Sequence, residues 1–179
     1  MGNTFGQNGD PSLWLPGSTT ICATFTVAGT YTIKLITGGH CGVDSITQTL
    51  CVAPPPVPAF TILPTTGCAP LLVNTTNTSA SAVCDPLSYW WDVTPAVGWN
   101  FASGTNTSLN PSFNFTLAGT YTITVTVTSI CGTYPFSQNI VIISPPIVNI
   151  NPLAGACGSV TVNPTATFNA GGGTISSYS

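Results

Sequence analysis

The sequence predicts an all-β protein made of β-sandwich repeats of about 90 residues, and three observations lead to this prediction. Residues 120–128 alternate between apolar side chains and threonine, which is the period of a strand with one buried and one wet face. The 18 Gly and 16 Pro divide the chain into short segments, and none of these segments has helical periodicity. The third observation is an internal repeat.

The repeat gives the domain organisation. Residues 25–33 reappear as residues 115–123, an offset of 90, and Cys68 and Cys157 open a second match at an offset of 89. Two proline-rich stretches, 54–58 and 144–146, are typical of stiff linkers between units. The predicted parts are the C-terminal part of one repeat (1–55), a complete repeat (56–145) and the N-terminal part of a further repeat (146–179).

Two interpretations of the incomplete flanking parts stay open. By the repeat spacing, Ser179 corresponds to Trp90 and Met1 corresponds to Trp91. One interpretation is a window of a longer array of repeats. The other is a polymer in which neighbouring protomers complete each other's split domains by strand complementation.

Ionisable groups are scarce. Only 3% of the residues are charged and the net charge is -3, against roughly 25% charged residues in an average soluble domain. Hydrophobic residues at 43% still suffice for a core. The chain has no basic patch for nucleic acid or anionic membrane surfaces, and its longest aliphatic run, 140–143, is too short to insert into a bilayer.

The few groups that could carry chemistry do not form a known constellation. His40, Asp44 and Ser45 make a triad on paper, but no nucleophile elbow or oxyanion hole accompanies them. Asp85 and Asp92 lack the third acid that a calcium site needs and do not make a convincing glycosidase pair. The sequence therefore predicts a protein that is not an enzyme and has no metal site or cofactor.

Four motifs of the central repeat resemble one family. They are Gly-Cys-Ala-Pro-Leu-Leu-Val at 67–73, Asn-Thr-Ser at 77–79, Tyr-Trp-Trp-Asp-Val at 89–93, and 115–123 with its Ala-Gly-Thr-Tyr-Thr-Ile. Together they resemble the polycystic-kidney-disease (PKD) domains, which are immunoglobulin-like sandwiches found in tandem on cell surfaces. After residue 92 the chain departs from the usual Phe-Gly-Asp-Gly and continues as a longer, uncharged loop.

The low charge and the Cys-Gly pair at 131–132 extend this resemblance. The combination looks like the giant secreted adhesins of Bacteroidota, including the gliding-motility adhesins. This resemblance implies an extracellular or cell-surface location and self-association, end to end or laterally, in a fibre. Asp44-Ser45-Ile46 resembles the short O-glycosylation motif of Bacteroidota, so Ser45 is a candidate for glycosylation.

In such a sandwich several aromatic residues have expected roles. Tyr31 and Tyr121 each open a strand where a tyrosine corner ties the strand to upstream backbone. The preceding Gly29 and Gly119 are expected to supply a turn conformation that a Cβ would resist. Trp91 is the expected core tryptophan between the sheets, and its neighbour Trp90 points the other way.

Three other tryptophan positions admit two interpretations. Trp14, Trp90 and Trp99 could stack on sugar rings, or they could pack between repeats or under the 94–111 loop. A surface glycan is therefore a second partner class beside self-association.

Seven cysteines in this composition indicate an oxidising compartment. In the sandwich topology, the loop before the Trp strand and the loop after the Thr/Val strand lie at the same end. Cys84 and Cys131 occupy these loops, so they are predicted to form a disulfide. The partners of the other five cysteines are left open.

The leading functional expectation is a non-catalytic, extracellular structural or adhesive fibre segment. The alternative is a glycan- or protein-binding accessory module of a secreted degradative enzyme, which would hold its substrate through Trp99 or Trp14.

Overall fold

A computed structural model describes residues 23–80, 84–153, 155, 157–174 and 176–177. The described residues are all-β, and among them no helix could cross a membrane. The strands are β1 (Gly29–Gly39), β2 (Gly42–Val52), β3 (Phe60–Leu63), β4 (Thr66–Cys68), β5 (Leu71–Asn77), β6 (Ser88–Thr94), β7 (Trp99–Ser103), β8 (Ser112–Phe115), β9 (Gly119–Ser129), β10 (Gly132–Ile143), β11 (Ile147–Ile150) and β12 (Ala166–Asn169).

The chain divides into two compact units. The first unit takes in the chain up to Val57 together with 80–88 and 128–133. The second takes in 58–79, 89–127 and 134–179. The domain boundaries at 55/56 and 145/146 remain predictions.

A long antiparallel hairpin forms most of the strand structure described in the first unit. β1 and β2 pair from Gly29↔Val52 to Gly39↔Gly42, and residues 40–41 form the loop. Threonine and branched aliphatic residues fill both strands, because their side chains fit a pleated surface.

The second unit has a β-sandwich-like arrangement. Its two four-stranded sheets have the orders β4-β10-β9-β6 and β3-β5-β8-β7, and β11 pairs separately with β12. Ring contacts join the two larger sheets across one core, with centroids 5.0 Å apart between Phe60 and Trp91 and 4.7 Å apart between Phe115 and Tyr121. The all-β prediction is confirmed at this level.

Strand alternation decides which side chains enter the core. The predicted inner face of β9 is confirmed, because its four residues are all buried: Tyr121, Ile123, Val125 and Val127. On β6, Trp91 is 2% exposed and donates its indole N–H to the Ser108 carbonyl at 2.9 Å, whereas Trp90 is 54% exposed. Neighbouring residues of a strand point to opposite faces, and this gives the two tryptophans different environments.

The disulfide differs from the predicted pair. Cys84 is bonded to Cys51, with their Cα atoms 5.8 Å apart, and Cys131 instead directs its Sγ to the Ala53 carbonyl at 3.2 Å. The prediction assumed that the cysteines of one repeat pair with each other. The bond instead joins the hairpin strand β2 to the segment before β6, because Cys51 near the end of β2 is the sulfur within bonding distance.

The glycines differ in how strictly they are required. Gly29 and Gly119 both have a positive φ of 159°, at the edge of the range that residues with a Cβ rarely adopt, and an added Cβ at either would meet no close contact. Gly98 is more strictly required. Its φ is +85°, and a Cβ there would collide with the Tyr121 hydroxyl.

Candidate functional site: the open face of the first hairpin

Tyr31 holds the start of β1 in place. Its hydroxyl donates to the Val27 carbonyl at 2.7 Å, and its ring lies 4.4 Å from that of Phe25. The same two contacts recur 90 residues later, from Tyr121 to the Leu117 carbonyl at 3.1 Å and from Tyr121 to the ring of Phe115 at 4.7 Å. Tyr31 and Tyr121 thus each bond the backbone carbonyl four residues upstream.

The two long hairpins also share one register. In β1–β2, Thr32 is paired with Thr49 and Lys34 with Thr47. Side-chain hydrogen bonds cross β9–β10 at the positions 90 residues further on, from Thr122 to Asn139 at 2.8 Å and between Thr124 and Ser137 at 2.9 Å. Equal register puts equivalent side chains on equivalent faces.

The two hairpins differ in how exposed their equivalent apolar side chains are. We call the side of β1–β2 that carries Tyr31, Ile33, Leu35, Ile46 and Leu50 the open face. Ile33 is 49% exposed and Leu35 is 64% exposed. Their counterparts in the sandwich, Ile123 and Val125, are fully buried. The open face is thus an apolar surface of the kind that marks an interaction site.

A second exposed element follows the sandwich. We call residues 147–169 the front segment. Its strands pair from Ile147↔Asn169 to Ile150↔Ala166. The same ladder exists one repeat earlier, in the bridge Val57↔Ala80 and in the pair Phe60↔Asn77. Its large apolar side chains lie mostly exposed: Ile147, Val148, Ile150, Val160, Val162 and Phe168.

A small group of contacts anchors the base of the first hairpin. The Cys51–Cys84 disulfide closes a loop with a sequence separation of 33. Next to Cys84, Asp85 is 2% exposed and its Oδ1 accepts the Ile130 N–H at 3.2 Å. The buried carboxylate therefore satisfies a backbone donor, a structural use of one of the few acids in the chain.

In the described part of the chain, the acids and His40 do not come together in a reactive site. His40 is exposed in the β1–β2 loop, and Asp44 accepts the N–H of Ser45 at 2.8 Å on the surface. Asp92 is exposed, while Asp85 is committed to Ile130. Among the described residues, no group of three or more His, Cys, Asp or Glu is placed to hold a metal ion.

The tryptophans considered for sugar binding differ in availability. Trp99 donates its indole N–H to the Pro95 carbonyl at 3.0 Å, and its ring packs edge-on against Phe101 and Phe113. Trp90 offers an exposed ring on β6. Trp14 lies outside the described residues.

Sequence reasoning did not single out the open face or the disulfide partner. The 90-residue repeat held the signal for the first, because it aligns Ile33 with Ile123. It held none for Cys51, whose counterpart is Val141.

Comparison with protein families and with curated sequences gives no relative from which a function could be transferred. No protein-family model matches the chain, and no curated protein sequence matches it.

Proposed function

We propose that this protein is a non-catalytic structural or adhesive fibre segment, built from tandem PKD-like sandwich repeats and located outside the cell on a bacterial surface. Its work is mechanical: sandwiches resist extension, and short proline-rich linkers limit bending. The resemblance to Bacteroidota adhesins suggests the setting, and the internal repeat suggests the architecture.

One observation carries the proposal. Two hairpins of the same register and with the same tyrosine contact occur 90 residues apart, one with its apolar face buried and the other with that face open. An apolar face of this kind needs a cover to be stable in water. A chain that carries an uncovered sandwich half is suited to joining the next unit of an array.

Charge and redox chemistry agree with this function. A chain with 3% charged residues has little long-range repulsion to oppose association. The Cys51–Cys84 disulfide fits an oxidising compartment outside the cytoplasm. The bond also fastens the hairpin that carries the open face.

Electron microscopy of the purified chain tests the proposal. β9 has 11 residues, so at about 3.3 Å per residue it spans about 36 Å, and a sandwich with its loops about 35–45 Å. Two units per chain predict filaments with an axial repeat of about 70–90 Å. Isolated particles at every concentration, with no filaments, would contradict a fibre function.

A second candidate function rests on the exposed ring of Trp90. An accessory module that binds a glycan could stack a sugar on this ring. A glycan array that shows binding lost in Trp90→Ala but kept in Trp99→Ala would favour this function. An array without binding would leave the fibre proposal in place.

A further inference from the structure

We propose that the open face of β1–β2 binds the front segment of a second copy of this chain. The front segment takes the place relative to β1–β2 that residues 58–79 take relative to β9–β10 in the sandwich. This inference rests on the proposed function and identifies the interface between its subunits, because a fibre needs a contact that repeats from one molecule to the next. Two different surfaces that bind head to tail generate an open filament when the rotation does not close.

In the sandwich, a side-chain hydrogen bond joins β10 to the strand that packs over it. The side-chain N–H of Gln138 on β10 donates to the carbonyl of Phe60 on β3. Gln48 is the counterpart of Gln138, and it lies on the open face opposite Ile33. Ile150 of the front segment is the counterpart of Phe60, so its carbonyl is the expected acceptor for Gln48.

Among the described strands, none lies beside β12 in the place that β8 takes beside β5. β5 is a strand throughout Leu71–Asn77 because its first half pairs with β8 and its second half with β3. Of the matching residues 160–166, only Ala166 pairs with β11, and residues 160–165 form no strand. Val162 is 47% exposed, whereas its counterpart Val73 is fully buried. Residues 24–25 of the second copy are the counterparts of 114–115 in β8, so they take the place of the missing neighbouring strand.

The second copy is the occupant that the chain favours. A linker of three residues, 144–146, spans at most about 10 Å, and the Ser144 N–H donates to the Gly171 carbonyl at 3.0 Å, so the front segment stays at the end of its own β10. The front segment contains no charged residue, and Lys34 of the hairpin lies on the side away from the open face. Asp44, opposite Thr37 at the tip of the hairpin, is on the open-face side, where it is exposed and accepts the Ser45 N–H. Apart from Asp44 at that tip, docking buries no ion.

Cross-linking tests the register. In the sandwich Leu72 pairs with Asn114, so the proposal pairs Thr161 of one copy with Thr24 of another. Opposed residues of an antiparallel pair are within reach of a disulfide. Thr24→Cys and Thr161→Cys chains, each with a different isotope label, are mixed, oxidised with diamide and mapped as peptides without reduction. Mapping separates the 24–161 bond from bonds of the native exposed thiols.

The matched control moves one cysteine by one residue. Val162→Cys places its thiol on the opposite face, so the proposal expects at least about tenfold less bond to position 24 than Thr161→Cys forms. Equal yields from the two pairs, or no 24–161 peptide at all, would overturn the register.

Sedimentation gives an independent readout. Val162→Asp puts a charge into the proposed core and is expected to weaken association at least about tenfold, whereas Thr161→Asp on the outer face is not. A chain that stays monomeric at all concentrations overturns the proposal. So does a native covalent mass far above 18.3 kDa, because the cover would then come from the same polypeptide.

The outcomes separate this inference from the fibre function. Filaments without the 24–161 bond would support the fibre function and contradict the proposed interface. Small closed rings with the bond would support the interface and contradict the fibre function.

Discussion

Ile33 and Ile123 occupy equivalent positions in two hairpins of one register, but Ile33 is 49% exposed and Ile123 is fully buried. Ile123 is fully buried beneath the second sheet of the sandwich, while half of Ile33 remains in contact with water. Sequence and strand geometry are the same at both positions, so the difference lies in what packs above them. This contrast is the basis of both proposals, and it suggests further measurements on single residues.

Loss of the disulfide should destabilise the first hairpin. Cys51→Ser is expected to lower the free energy of unfolding by about 3–4 kcal/mol, because the bond closes a loop with a sequence separation of 33. Denaturant titration without reductant measures the effect. Cys68→Ser, which removes an exposed thiol, is the control and should change stability by less than about 0.5 kcal/mol. Equal effects of the two changes would argue against the Cys51–Cys84 bond.

Removal of the buried Asp85 carboxylate should lower the stability of the fold more than removal of an exposed acid. Asp85→Ala removes the acceptor of the partly buried Ile130 N–H and empties a buried site, at a cost of about 1–2 kcal/mol. Asp92→Ala removes an exposed carboxylate and should be nearly neutral. Thermal unfolding of the two variants side by side decides the matter, and an unchanged midpoint for Asp85→Ala would contradict the role assigned to it.

Gly98 should resist substitution. Its φ of +85° strains any residue with a Cβ, and that Cβ would displace the Tyr121 hydroxyl, so Gly98→Ala should cost about 2–3 kcal/mol. Gly155→Ala is the matched change, since a Cβ there meets nothing within 4 Å. Denaturant midpoints of the two variants should differ clearly, and matching midpoints would show that the turn at Gly98 adapts.

The two corner tyrosines allow a comparison of buried and open sites. Tyr121→Phe removes a hydrogen bond to the Leu117 carbonyl in the core and should cost about 1 kcal/mol. Tyr31→Phe should cost less in the monomer, because water can replace its bond to Val27. If the open face is covered on assembly, the cost at Tyr31 should rise in assembled material. Hydrogen exchange in both states measures this, and an unchanged cost would count against the cover.

Some of the site could be anticipated from the chain alone. Alternation along a strand assigned Trp91 to the core and Trp90 to the surface, because a period of two depends only on local backbone geometry. The repeat aligned Tyr31 with Tyr121, and both hydroxyls make the same bond. The disulfide could not be anticipated, since neither the spacing nor the repeat connects Cys51 with Cys84.

The sequence by itself determined the strand class, the inner and outer faces, and the repetition of one hairpin, because each of these follows from short-range patterns of side chains. Only the tertiary structure decided which sulfur meets Cys84, that the buried Asp85 bonds the Ile130 N–H, and that Ile33 is half exposed where Ile123 is fully buried. These outcomes depend on distances between segments far apart along the chain, and no local pattern contains such distances.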